Sequence, residues 1–161
     1  MPEAKTVERA KKARRRGKAP STAAGEFVRE EIEHVREGKH GARSAKQAIA
    51  IGLSKARRAG IPLRPPKRGS ASARTRRQAE RDRRTGRSHK RSTSPKRSRA
   101  SSRALRREGH QAASKRALSA QARRAAAARR ASKNRPARGV RGPSRSSLEG
   151  RTKHKREMHR P

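Results

Sequence analysis

The chain has 161 residues, 50 of them Lys or Arg against 12 Asp or Glu, giving a formal net charge of +38 at pH 7 and a pI near 12.0. With 27% apolar residues, Phe27 as its one aromatic and no cysteine, it has little to bury, no disulfide, no thiolate nucleophile and no cysteine-based zinc site. No apolar run approaches the roughly 20 residues that cross a bilayer, so the expected partner is a densely charged polyanion met in the cytoplasm, with attachment to membranes disfavoured.

The charge is unevenly placed. Residues 1–60 hold 16 basic and 7 acidic residues, while residues 61–161 hold 34 basic and only 5 acidic. Three zones follow: a basic, partly disordered lead over 1–19, a balanced zone over 20–60, and a basic tail over 61–161. The lead resembles a transit peptide in its basicity, but Glu3 and Glu8 argue against that reading.

In the middle zone, Ser21 or Thr22 is expected to cap a helix that runs to about Glu37 and stops at Gly38. Val28, Ile32 and Val35 at i, i+4 and i+7 form its apolar stripe, widened by Phe27, and the glutamates at 26, 30, 31, 33 and 37 decorate its other faces. Glu30, Glu31 and Glu33 read as solvated, with contact to Lys46 or Arg57 as the alternative. After a turn over residues 39–43, Ser44 and Gln47 have the spacing of a capping box that opens a second helix to about Ala59, before Gly60 and Pro62. Two such helices predict a small helical hairpin over 20–60. About 40 residues is short of a self-sufficient core, so the unit is either marginal as a monomer or, as is favoured, completed by a homodimer or a docked partner.

Pro62 to Gly69 reads as a proline-stiffened linker. Arg74 to Arg84 has the composition of a short charged helix. From Gly86 onward, through Ser88, Ser92, Thr93, Ser94 and Pro95, the Ser/Arg-rich composition carries no apolar period and reads as disordered. Residues 111–132, rich in Ala, Arg and Gln and without Gly or Pro, predict an additional helix in the basic tail that orders on a polyanion. The fold class expected is thus mostly disordered, with a small all-α hairpin and one tail helix.

The basic runs supply the candidate phosphate ligands: Arg14, Arg15, Arg16, Lys55, Arg57, Arg58, Arg76, Arg77, Lys96, Arg97, Arg116, Arg123, Arg124, Arg129 and Arg130. A solvated surface mixes both signs, whereas this tail is nearly single-signed, and that favours phosphate binding. One aromatic cannot provide a stacking platform for unpaired bases, and no helix offers a set of side chains for base edges, so binding without sequence preference is expected. Ser94-Pro95-Lys96-Arg97 resembles the Ser-Pro-Lys-Lys element of linker-histone tails, whose turn follows the minor groove.

The histidines at 34, 40, 89, 110, 154 and 159 are scattered, without a helical His-x3-His pair, and no metal or other cofactor is expected. No nucleophile has a positioned base, so an enzyme is not expected.

The stretch GEFVREEIEHVREGKHGARSAKQAIAIGLSKARRAG resembles a small domain of unknown function found in short, basic bacterial proteins, most specifically over Ser44 to Gly60. The resemblance implies a bacterial origin and a helical unit, and carries over no site residues. The tail is similar in composition to bacterial linker-histone-like proteins. Taken together, the expectation is a non-specific DNA-binding, nucleoid-associated protein. RNA or ribosome association, or recruitment of a protein by the hairpin, stand as alternatives.

Overall fold

The computed structural model describes residues 2–88 and 94–133. Among these the chain is all-helical: α1 (Ala4–Arg15), α2 (Pro20–Arg36), α3 (Ala45–Arg58), α4 (Ala73–Ser88), α5 (Pro95–Arg106), a 3-10 turn (Gln111–Ala113) and α6 (Lys115–Lys133). Residues up to Ala126 form one compact unit. The second unit begins at Ala127 and is described only through the final turns of α6.

α2 and α3 start and stop where local chemistry says they should, with one shift. Pro20 itself is the first helical residue of α2, preceded by Ala19 as cap, so the expected Ser21 or Thr22 cap is displaced. Proline suits that position because its missing N–H would be unpaired there and its φ is already helical. Gly38 closes α2 at φ +73°, a region that costs other residues a Cβ clash. At α3 the Ser44 hydroxyl accepts from the Gln47 amide at 3.2 Å, and Gln47 Oε1 accepts in return from the Arg43 amide at 2.9 Å.

The core is made of small side chains around two larger ones. Ala10, Ala23, Ala24, Ala56 and Ile61 surround the fully buried Phe27, and Ala42, Ala48, Ala112 and Ala113 surround Val35. Alanines bury little area each, so this core depends on close backbone approach. Gly52 shows how close: a Cβ there would lie 2.6 Å from Val28 Cα and 2.9 Å from the Phe27 carbonyl oxygen. Val28 and Ile32 are only half-buried, so the expected apolar stripe is rotated toward Phe27.

Three helices stand where the sequence pattern suggests irregular chain or only a short helix. α1 lies in the supposed basic lead and buries Thr6 and Ala10. α4 extends the short helix considered over Arg74 to Arg84 and buries Ala79, Asp82 and Gly86. α5 replaces part of the Ser/Arg-rich stretch, its end tied to the turn after α2 by backbone bonds from Gly41 N to Leu105 O (2.9 Å) and from Ala42 N to Gly109 O (3.0 Å). Arg, Gln, Glu and Ala all sit comfortably in helices, so each segment needs only a narrow contact face. The expectation of a mostly disordered chain is therefore corrected for residues 73–88 and 95–106; the Ser92 and Thr93 part of that reading lies outside the described residues.

The tail helix also starts later than the expected 111. A 3-10 turn comes first, Ser114 is extended, and its hydroxyl accepts from the Ala117 amide at 3.2 Å to open α6 at Lys115. Cover for α2 and α3 comes from the chain itself. Val7, Ala10 and Ala13 of α1 pack on the Phe27 cluster, and Ala112 and Ala113 on the Val35 cluster. The α2–α3 pair is thus not a bare 40-residue unit.

Candidate nucleic-acid interface

The structure sorts the fifteen predicted cations into three groups. Lys55 and Arg57 face inward. Lys55 Nζ lies 2.6 Å from Glu31 Oε2 and 3.3 Å from Glu30 Oε1, with its side chain 14% exposed. Arg57 is buried beside Asp82, where loss of water lowers its pKa and the Asp82 charge opposes that shift. Asp82 is itself fixed, accepting from Ser54 Oγ at 2.6 Å and from Gln78 Nε2 at 3.0 Å. These two cations are therefore part of the fold's internal charge balance and are corrected as phosphate ligands.

Arg76 is half-buried. The other twelve are exposed: Arg14, Arg15, Arg16, Arg58, Arg77, Lys96, Arg97, Arg116, Arg123, Arg124, Arg129 and Arg130. Ser94 to Arg97 is not a turn but the start of α5, with Pro95 at its first position and Lys96 and Arg97 in its first turn.

The other described acidic residues, Glu8 excepted, are engaged with cations outside the predicted set. Glu26 pairs with Arg9 (3.0 Å), Glu33 with Arg29 (3.0 Å), Glu37 with Lys39 (3.0 Å), Glu80 with Arg83 (3.2 Å) and Glu108 with Arg43 (3.5 Å). Glu3 Oε1 meets His34 Nε2 at 2.9 Å and Lys39 Nζ at 3.4 Å. The bond to His34, and then that to Lys39, hold the Glu3 carboxyl below its ordinary value, while Glu33 raises Arg29 and Glu37 raises Lys39. Glu30 and Glu31, expected on the solvated side of α2, are 2% and 0% exposed.

α5 and α6 carry five and seven basic residues, all exposed, and not one acidic residue. The partial positive charge at the amino-terminal end of each therefore adds to that of its side chains, with no carboxylate in the first turn to offset it.

Two helix starts converge. A groove of about 450 Å³ is lined by Arg43, Ser44 and Lys46 at the start of α3 and by Ser114, Arg116, Gln121 and Arg124 of the α6 segment. It brings together four cationic side chains, an amide and the capped starts of two helices, a combination suited to phosphate oxygens. Arg116 and Arg124 are among the cations expected from the sequence. Arg43 and Lys46 are not, since neither belongs to a basic run, although the capping box beside them marks the helix start.

A second groove, about 470 Å³, runs along α2 past Val28 and Ile32 to Leu118 and holds only Arg29, Glu33 and Arg36 as charged lining. Among the described residues no helix is long and apolar enough to cross a membrane. Compared with protein-family models, curated proteins and solved structures, the chain matches none.

Proposed function

We propose that the protein binds nucleic acid by neutralising its phosphates without reading sequence, and acts in a bacterial nucleoid as a histone-like DNA-associated protein. One observation carries this reading. All described acidic residues except Glu8 have a partner inside the fold, whereas the twelve bases of α5 and α6 are exposed with no acid among them. A surface so arranged suits an external polyanion, and the duplex, with a phosphate charge about every 1.7 Å, is a dense one. The α2–α3 pair serves as a helical-hairpin scaffold, α1 and α4 complete it, and the groove between the starts of α3 and α6 seats one phosphate stretch. Phe27, fully buried, leaves no aromatic face for stacking.

The test is a titration of the full chain against labelled duplex DNA at several salt concentrations. With about ten phosphates neutralised, the log-log salt slope should be roughly −9. A slope near zero would overturn the proposal. Competition by structured RNA at equal phosphate concentration, if it displaced the duplex completely, would reassign the partner to RNA.

A further inference from the structure

Glu31 is wholly buried, yet neither of its carboxylate oxygens has a hydrogen-bond donor aligned with it. Lys55 supplies opposite charge near Oε2, and His40 Nε2 stands 3.2 Å from Oε1, but that ring edge is not aimed as an N–H donor would be. The other ring nitrogen explains the orientation. His40 Nδ1 lies 3.1 Å from the Gly41 carbonyl oxygen. A carbonyl only accepts, so Nδ1 carries the proton, and in the neutral ring Nε2 is then an unprotonated nitrogen 3.2 Å from the carboxylate oxygen. Two lone-pair atoms held this close, one of them on a wholly buried carboxylate, suit a cation between them.

His34 completes the arrangement. It lies one turn after Glu31 on the same helix, and the ligand atoms of Glu31, His34 and His40 all fall within 4.8 Å of one another. Glu3 Oε1, at the cap of α1, is 2.9 Å from His34 Nε2. We propose that Glu31, His34 and His40, joined by Glu3, form a binding site for one divalent cation of the zinc class.

The donor set fits that class. Imidazole nitrogen with carboxylate oxygen suits zinc, whereas magnesium and calcium take oxygen donors. Four ligands at about 2.0–2.2 Å require donors somewhat closer than they now stand, a change that rotation of Glu3 and His34, on exposed or half-buried chain, supplies. The His40 bond to the Gly41 carbonyl is the outer contact that fixes a ligating imidazole. Charge also fits: Glu30 and Glu31 share the single ammonium of Lys55, and Glu3 shares Lys39 with Glu37. Once bound, the cation would fasten the start of α1 to α2 and to the turn after it. The site stands whether or not the chain binds nucleic acid.

The full chain, prepared without an affinity tag and stripped with chelator, is titrated with zinc in the absence of nucleic acid. Expected are one zinc per chain retained through gel filtration, a higher melting temperature, and, with cobalt instead, the visible absorption of a four-coordinate site that zinc abolishes. His34→Ala and His40→Ala should each weaken uptake at least tenfold, and His110→Ala, an exposed histidine outside this set, should leave it unchanged. No retained zinc, or equal uptake by His34→Ala and His40→Ala, would overturn the site. If those variants lose helicity, the cobalt spectrum of the unmutated chain decides: an octahedral, aquo-type spectrum rejects the proposal.

Discussion

Lys55 is the residue on which the interior charge balance turns. Its ammonium stands between Glu30 and Glu31, both buried, so its removal leaves two carboxylates without a counter-charge in a region that water reaches poorly. Breaking a buried pair in this way costs about 3–5 kcal/mol, far more than the near-zero contribution of an exposed pair such as Arg29 with Glu33. Lys55→Ala should therefore lower the urea midpoint strongly, and Arg29→Ala should move it within error. If the two variants unfold alike, Glu31 has found another counter-charge. Ser44 sets a smaller scale: its hydroxyl serves one amide of α3, and Ser44→Ala should cost about 1 kcal/mol by the same denaturation measurement.

At the scale of elements, the helices whose ends were legible in the sequence are those with caps and larger apolar residues. Ser44, Gln47, Gly38 and Gly60 mark the ends of α2 and α3, and Phe27 and Val35 mark the inner face of α2. α1 was hidden and α4 was legible only as a shorter helix, because their contact faces are Thr6 with Ala10, and Ala79 with Asp82 and Gly86. Those spacings are helical, but a search for hydrophobic period does not register threonine, aspartate or glycine as core. The buried glutamates were hidden for the same reason: an acid on α2 is solvated unless something covers it, and the covering segments are remote in sequence. The glycines show how tight the packing is. A Cβ at Gly86 would fall 2.0 Å from the Arg57 carbonyl oxygen, and one at Gly52 would meet the α2 backbone. Alanine favours a helix over glycine by about 1 kcal/mol, yet a clash with backbone cannot be relieved by a rotamer, and overpacking costs about 1–3 kcal/mol. Gly52→Ala should thus destabilise the chain despite its better propensity. Gly86→Ala should leave α3 protected and speed amide exchange in α4, because only the α3–α4 seam must open. Unchanged exchange in α4 would mean that the seam is looser than these distances imply.

Over the whole molecule, the division of charge separates what folds from what binds. Among the described residues, acids are gathered on α2 and at a few seams, where they neutralise the cations nearest the core, and α5 and α6 carry exposed basic residues alone. That separation was readable in the sequence as the asymmetry between residues 1–60 and 61–161. The groove at Arg43 and Lys46 was not, because it exists only when the starts of α3 and α6 meet. The two parts of the cationic surface make distinguishable contributions. Replacing Arg123, Arg124, Arg129 and Arg130 with Gln removes charge from the exposed length of α6 and leaves its helix propensity nearly unchanged. For every phosphate that is no longer neutralised, the salt slope should become shallower by about 0.9, with melting temperature steady or raised as like-charge repulsion falls. Replacing Arg43 and Lys46 instead removes two cations rather than four, so the slope should change by about half as much, while the helix starts beside them keep their fixed backbone dipoles. Duplex titrations of both variants, run beside the unmutated chain, would show this difference. Identical slopes for all three would place the phosphate-binding surface on other cations of the chain.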